Sequence, residues 1–409
     1  MRIVFLSDDF PPQSFGGAGI VAYDFAIAMK RMGHEIYVIT TCRNRDEAGV
    51  SEYHGIKVWK ITSNYSTRWR SYLGLYNPPV VRQVAKLLKN IKPDVVHAHN
   101  IHFYLSYHTL VIAKRFSKVV VLTAHDVMSF NYGKLHTKRY LENFDAHTTW
   151  FDHLKQARKR WNPLRNLFIR KYLKHADKIF AVSGALKKAL EQNGIVNVEV
   201  MYFGADVNLW RTSGEEVAQF REKYNLTNKK VILFGGRLSE AKGGGKALEV
   251  MAELEKEVDN VVLLVAGKME GYAASMKEAA DKLGIGGRLI FTGWIERDEI
   301  KSAYACADLV LVPSIIFDSF PRIVLEAMAC AKPVVGTCYG GAPEIIEDGI
   351  TGYVVNPFHT KEVAEKMLDL INHPEKAERF GKAGLDRIKT NFNLNVQIAK
   401  LIAIYETLY

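Results

Sequence analysis

Short runs of β-branched and aromatic residues recur along the chain, each followed by a stretch whose apolar positions return every three or four residues. IVFLS (3–7), EIYVIT (35–40), KVWKI (57–61), DVVHAH (94–99), VVVLTAH (119–125), KIFAVS (178–183) and EVMYFG (199–204) read as strands. Helices are expected over 18–32 and 79–90, after 183, and in a long polar-aromatic stretch over 138–175. The pattern then starts again: VILFGG (231–236), VVLLVAG (261–267), RLIFTG (288–293), DLVLVP (308–313), PVVG (333–336) and GYVV (352–355) are strands separated by helices. Two closing helices, 376–390 and 394–408, have no strand after them. Strands that alternate with helices imply parallel sheets covered on both faces.

A chain of 409 residues exceeds what one hydrophobic core holds, so two domains are expected. No Gly-, Ser- or Pro-rich linker divides them, and GADVNLWRTSGEE (204–216) is the natural boundary. The expected α/β architecture is two Rossmann-like domains, 1–205 and 206–390, with parallel sheets facing across an interdomain cleft. The segment 391–409 is expected either to close the second domain or to pack back on the first.

Composition narrows the class. With 48% hydrophobic and 24% charged residues, and no run near the ~20 apolar residues of a membrane span, the chain reads as soluble and globular. MRIVFLS (1–7) reads as a strand rather than a signal peptide, which implies a cytoplasmic protein. Cys42, Cys306, Cys330 and Cys338 show no C-x-x-C spacing, so buried thiols fit better than disulfides or zinc. The net charge of +11 is uneven: residues 1–205 carry +15, the rest −4, and residues 126–175 alone +7. A basic half points to an anionic partner: a phosphorylated substrate, an anionic membrane or a nucleic acid.

In such sheets ligands bind beyond the carboxyl ends of the strands. After the first strand, SDDFPPQSFGGAG places Gly16, Gly17 and Gly19 where a helix opens, so backbone N–H groups could approach an anion. The spacing is not G-x-G-x-x-G, and the second strand ends in Thr40 and Thr41 rather than an acid, which weakens a nicotinamide reading. A tight turn without a ligand is the plain alternative. GRLSEAKGGGK after VILFGG brings Arg237 and Lys242, two cations suited to a diphosphate, though no Walker-type loop is present. Gly243, Gly244 and Gly245 would loosen the helix start that follows. His125 and Asp126 follow VVVLTA; a substrate contact and a satisfied structural histidine are both open. FDSFPRIVLEAMACAKPVV (317–335) puts Asp318 at the entrance of a helix and Glu326 inside it.

Together, FPPQSFGGAG (10–19), DVVHAHN (94–100), TAHD (123–126), GGRLSEAKG (235–243), FTGW (291–294), FDSFPRIVLEAMACAKPVV and GGAPEIIEDGITGYVV (340–355) resemble the retaining glycosyltransferases of family 4, in the family's order over nearly the whole chain. The resemblance implies the GT-B fold and transfer of a sugar from a UDP- or GDP-linked donor to a glycan, lipid-linked or other hydroxyl acceptor. It implies that Arg237 and Lys242 hold the donor diphosphate, with Gly16 and Gly17 approaching the same region. Glu326 would bind the ribose, the backbone at Ile323, Val324 and Leu325 would face the phosphates, Trp294 would border the base, and His125 would touch the transferred sugar. No cofactor is expected and no metal, because two cations supply the charge; the leaving phosphate would act as base. Asp318 departs from the family's usual Glu, and one methylene less moves a carboxylate by about 1.5 Å. A donor-sugar contact, or a cap on a helix over 321–331, are its two readings.

Trp150, Leu154, Ala157, Trp161, Leu164 and Phe168 fall three or four apart among basic residues, which suggests a basic amphipathic helix. With STRWRSYLGLY (66–76), the stretch 138–175 is a candidate contact with an anionic membrane on its inner face, or simply a packed helix. No nucleic-acid-binding module is recognisable. A nucleotide-sugar epimerase and a non-catalytic sugar-binding protein are the competing classes.

Overall fold

Runs that are apolar at every position, rather than at alternate ones, form the middle of each sheet, as parallel strands covered on both faces require. The structure is a computed structural model that describes residues 1–13 and 16–409, the side chain of residue 297 excepted. It divides into two units, residues 1–203 with 394–409, and residues 204–393.

The first unit holds β1 (Arg2–Leu6), β2 (Glu35–Cys42), β3 (Gly49–Tyr53), β4 (Ile56–Thr62), β5 (Val95–Ala98), β6 (Val119–Ala124), β7 (Lys178–Ala181) and β8 (Val198–Val200). Their order is β3-β4-β2-β1-β5-β6-β7-β8. All neighbours run parallel except β3 and β4, a hairpin that the sequence pattern did not reveal. β3 is an edge strand with a solvent-facing sequence, GVSEY, so it lacks the apolar run that marks the others. Its turn, His54-Gly55, has φ of 48° and 72°, the positive values that a two-residue hairpin turn needs.

The second unit holds β9 (Lys230–Gly235), β10 (Val261–Ala266), β11 (Leu289–Gly293), β12 (Leu309–Val312), β13 (Val334–Thr337) and β14 (Gly352–Val355), ordered β11-β10-β9-β12-β13-β14 and parallel throughout. Each sheet therefore reverses its winding once: between β1 and β5 in the first, between β9 and β12 in the second. Chain connections leave in opposite directions there, which opens a crevice at the carboxyl ends of those strands.

The stretch 138–175 is not one helix. Three short helices replace it, Lys138–Asn143, Trp150–Ala157 and Arg165–Leu173. Thr149 and Asp152 form a capping box that starts the second, and Arg158 at φ 49° ends it before Asn162-Pro163. The spacing of Trp150, Leu154, Ala157, Trp161, Leu164 and Phe168 thus does not define one stripe: Ala157 is buried while Trp150, Leu164 and Phe168 are exposed. Asp318 does not cap a helix either, since Arg322–Ala329 begins after Pro321 with no side-chain cap.

The helix Pro374–Asn391 packs on Arg322–Ala329 in the second unit, where a Cβ on Gly381 would lie 2.0 Å from the Ala331 carbonyl oxygen. The last helix, Leu394–Leu408, belongs to the first unit. There the buried Tyr405 hydroxyl meets His97 Nδ1 at 2.6 Å, and His97 Nε2 meets Thr123 Oγ1 at 2.7 Å. All four cysteines are free thiols, Cys42 and Cys306 buried, Cys330 and Cys338 half-buried. Burial pushes the Cys306 thiol up to about 11 and Cys330 up to about 12, away from reactivity. Among the described residues no helix is long and apolar enough to cross a membrane.

His97, His99 and His102 are buried in this unit. Burial, and then the neighbouring His125, lowers His97 from 6.5 to about 3. A histidine whose folded value lies below its unfolded one stabilises the fold only while neutral. That contribution is complete above pH ~6.5 and is lost as pH falls toward the folded value. Asp8 and Asp126 oppose this, because burial raises both, Asp8 to about 6, so they favour the fold as pH falls; three histidines outnumber two carboxylates. Urea unfolding should therefore show stability declining from pH 7 to pH 5. His97→Gln should flatten that decline by about 1 kcal/mol per pH unit, and an unchanged slope would refute the assignment.

Candidate active site

The second unit gathers polar groups where β9 and β12 end. Gly235 lets β9 approach β10 closely, a Cβ there lying 3.0 Å from the Ala266 carbonyl oxygen. Gly236 follows at φ 98°, and Arg237 is exposed with no hydrogen-bond or ion-pair partner among the described residues. A 3₁₀ turn, Glu240–Lys242, then presents Lys242. Its Nζ lies 2.5 Å from Asp318 Oδ2, with the lysine side chain 34% and the aspartate side chain 13% exposed. Ser314 Oγ, fully buried, donates to the same oxygen at 3.1 Å, leaving Oδ1 without a hydrogen-bond partner among the described residues. The buried Ser239 hydroxyl beside them also has no partner.

Backbone contacts fix this group from both sides. Ile315 N–H donates to the Ala241 carbonyl at 3.1 Å, and Gly341 N–H donates to the Asp318 carbonyl at 2.8 Å. Gly243 (φ 80°) and Gly340 (φ 80°) permit the approach, since a Cβ on either would lie 1.9 Å from a carbonyl oxygen, of Pro313 and Asp318 respectively. Gly244 abuts the Tyr272 ring. The glycine run after Lys242 is therefore not a loosened helix start: two of the three glycines serve close packing, and only Gly245 faces open space.

The remaining expected residues of this unit stand apart from the Lys242–Asp318 pair. Glu326 accepts from the Tyr304 hydroxyl at 2.7 Å through Oε2 and from Arg322 at 3.3 Å through Oε1. Burial first, and then the Glu326 charge, hold the Tyr304 hydroxyl well above its ordinary value, so it stays a donor. Ile323 opens the helix half-buried, whereas Val324 and Leu325 are buried and Val324 N–H already bonds to Pro321 O at 3.1 Å. Trp294, 61% exposed, follows the edge strand β11 with Lys268 5.6 Å over its ring. Among the described residues no hydrogen bond or ion pair joins Trp294 or Glu326 to Lys242 or Asp318.

In the first unit, Gly16 precedes the helix Gly17–Arg31 in extended backbone (φ −160°), and a Cβ on it would meet nothing within 4 Å. Neither its conformation nor its packing demands glycine. Ser14 and Phe15 of the same loop lie outside the described residues. His125 Nε2 lies 2.8 Å from His99 Nδ1, and the two rings stack at 5.0 Å. His99 in turn lies 4.3 Å from His97, the partner of Tyr405. Burial, then His97 and His125, keep His99 well below its usual value and hence neutral.

Several participants were not singled out from the sequence. The period of two in DVVHAH sets His97, in β5, and His99, just past its end, on the same side and was the available signal. Asp8 accepts the backbone N–H groups of Phe103, Tyr104 and Leu105 at 2.6–2.8 Å. It thereby shapes the loop after β5. Ser314 and Tyr304 carry no local signature, whereas Gly340 opens the motif GGAPEIIEDGITGYVV.

The close approach at Gly243 is testable. Gly243→Ala should cost about 2 kcal/mol or more in urea unfolding, from the positive φ and the Pro313 clash together. Gly245→Ala, in a helix and facing open space, should gain about 0.5–1 kcal/mol. Equal effects would contradict the packing described.

Two family models match, in chain order and without overlap: Glycosyltransferase Family 4 over residues 15–209 and Glycosyl transferases group 1 over residues 216–387. An uncharacterized glycosyltransferase of Methanocaldococcus jannaschii is 25% identical over 382 residues, covering 89% of this chain and 87% of its own. The N-acetyl-alpha-D-glucosaminyl L-malate synthase of Bacillus anthracis is 24% identical over 402 residues, covering 97% and 94%. The crystal structure of Anabaena HepE in complex with UDP and glucose superposes with a TM-score of 0.75 at 21% identity, covering all of both chains. The chain therefore belongs to the glycosyltransferases, family 4 in its first half and group 1 in its second, and has their GT-B fold.

Proposed function

We propose that the protein transfers a sugar from a nucleotide-sugar donor to a hydroxyl acceptor with retention of anomeric configuration. The observation that carries this is the Lys242–Asp318 pair at the end of β9 and β12, with Arg237 exposed on the same loop. A diphosphate needs fixed cations where negative charge grows as the sugar leaves. Lys242 and Arg237 are suited to that role without a metal. Asp318, with one carboxylate oxygen unused by the protein, is suited to a donor-sugar hydroxyl. The leaving phosphate would take the acceptor proton. Glu326 would hold the ribose, since each carboxylate oxygen can accept a second hydrogen bond beside those from Tyr304 and Arg322. UDP is the nucleotide bound to Anabaena HepE, and a GDP-mannose-dependent mannosyltransferase of Mycolicibacterium smegmatis is 28% identical over 204 residues, so UDP- and GDP-linked donors are both in the reading.

The acceptor reading is a glycan or lipid-linked hydroxyl met at the inner face of a membrane. Exposed Trp69, Tyr72, Trp150 and Phe151 support it, as does the hydrogen bond at 3.0 Å from the Tyr72 hydroxyl to the Trp161 carbonyl, which joins the 66–76 and 138–175 stretches. Aromatic rings among Arg and Lys suit an anionic interface.

A panel of nucleotide sugars, with released nucleotide measured, tests transfer. One donor should stand out; Lys242→Ala and Glu326→Ala should each lower its turnover by about 100-fold or more. If neither variant changes release, the site is misassigned, and an epimerised donor without transfer would favour an isomerase. Proton NMR of the first product formed should show the donor's anomeric configuration. In co-sedimentation, vesicles containing anionic lipid should bind the protein, and Trp150→Ser with Phe151→Ser should weaken that binding several-fold; no difference from neutral vesicles would exclude the membrane contact.

A further inference from the structure

Near the carboxyl ends of β4, β5 and β6 the first unit buries two arginines, Arg70 and Arg165, neither of which hydrogen-bonds to a carboxylate among the described residues. Arg70, on the short helix Arg70–Leu73, is 9% exposed, lies 3.6 Å over the Phe103 ring, and leaves Nη2 buried without a hydrogen-bond partner among the described residues. Its neighbour in the electrostatics is Arg165, also buried, which is spent on Asn166 Oδ1 at 2.7 Å and on the Met128 carbonyl. Burial first, then the Arg165 charge, lower Arg70 to about 10. His102 is 5% exposed and lies in the same field, its Nε2 has no hydrogen-bond partner among the described residues, and Asp126 Oδ2 is 3.6 Å away.

The two nearby carboxylates act on Arg70 through charge alone, because their hydrogen bonds go elsewhere. Asp8 gives both oxygens to the backbone of residues 103–105, and Asp126 bonds to Met128 N–H at 2.8 Å and Asn100 Nδ2 at 3.1 Å. Asp126 keeps 35% of its side chain exposed and so marks the side open to solvent. A buried guanidinium donor with no acceptor is costly, and charge-assisted bonding to an anion is the strongest way to satisfy it.

We propose that Arg70 Nη2 and His102 Nε2 form the binding point for a carboxylate or phosphate carried by the acceptor. The first unit would then select acceptors that combine a free hydroxyl with an anionic group. The proposal rests on the glycosyltransferase reading above, in which the acceptor meets the first unit. Phe103 holds the guanidinium plane by stacking, and Asp8 holds Phe103 through its backbone. The two donors are thus positioned before any ligand arrives, which lowers the ordering cost of binding.

Glycerol 3-phosphate, glycerate and glycerol share a skeleton and differ only in the anionic group. Calorimetric titration of the full chain with each should show one or both anions binding about tenfold or more tighter than glycerol. The tighter anion identifies phosphate or carboxylate as the native group. Arg70→Gln and His102→Gln should each remove most of that preference while affinity for UDP or GDP and the melting profile are kept. Should Arg70→Gln fail to fold, His102→Gln carries the test. Equal affinity for the three compounds, including none, overturns the proposal, as does a preference that survives the folded variants. Nucleotide binding and release are read separately: their failure with anion preference intact sinks the transferase reading, and the reverse sinks only the anion site.

Discussion

A parallel sheet covered by helices on both faces leaves polar side chains nowhere to go but its ends. Every residue of β5, β6, β10, β12 and β13 is buried. Water, charge and chemistry are therefore confined to the loops that leave the strands. Asp8, His99, His125, Arg237, Lys242, Ser314 and Asp318 all follow the carboxyl end of a strand. Where the winding reverses, two adjacent strands send their loops apart, and the densest polar groups of each unit stand at that place.

Within the second unit, the Lys242–Asp318 pair is half-removed from water and framed by backbone rather than by flexible side chains. Gly243 against Pro313 and Gly340 against Asp318 let three loops meet at distances that a Cβ would forbid. Rigid framing of this kind holds charges where a ligand needs them, without reorganisation when it binds. It also bears on the short side chain at position 318. The carboxylate is turned to Lys242 and Ser314, and a loop bonded to Gly341 carries it there. A diphosphate would compete with that carboxylate for the lysine, which couples occupation of the phosphate position to release of Asp318 toward the sugar.

Much of this was legible in the chain itself. Unbroken apolar runs located thirteen of the fourteen strands to within a residue or two at most ends, because burial on both faces leaves no alternation to misread. β3 escaped because an exposed edge strand has no such run. The stretch 138–175 was misread because apolar spacing says nothing about a capping box or a residue at positive φ that restarts the helix. Lys242, Asp318 and His125 were singled out through the strand-end rule and the family's motifs. Tyr304, Ser314, Arg70 and Asp8 were not, since each acts through a partner far away in sequence. Gly16 shows the converse: a glycine in a suggestive run whose backbone and surroundings do not require one.

The central claim is that the loop ends of β9 and β12 hold the donor diphosphate. A crystal structure of the protein soaked with the nucleotide sugar it turns over tests this most directly. The account predicts diphosphate oxygens within hydrogen-bond distance, about 2.7–3.2 Å, of Lys242 Nζ and the Arg237 guanidinium, with the sugar on the Asp318 side. A donor bound with its phosphates elsewhere, and the Lys242–Asp318 contact undisturbed, would contradict it.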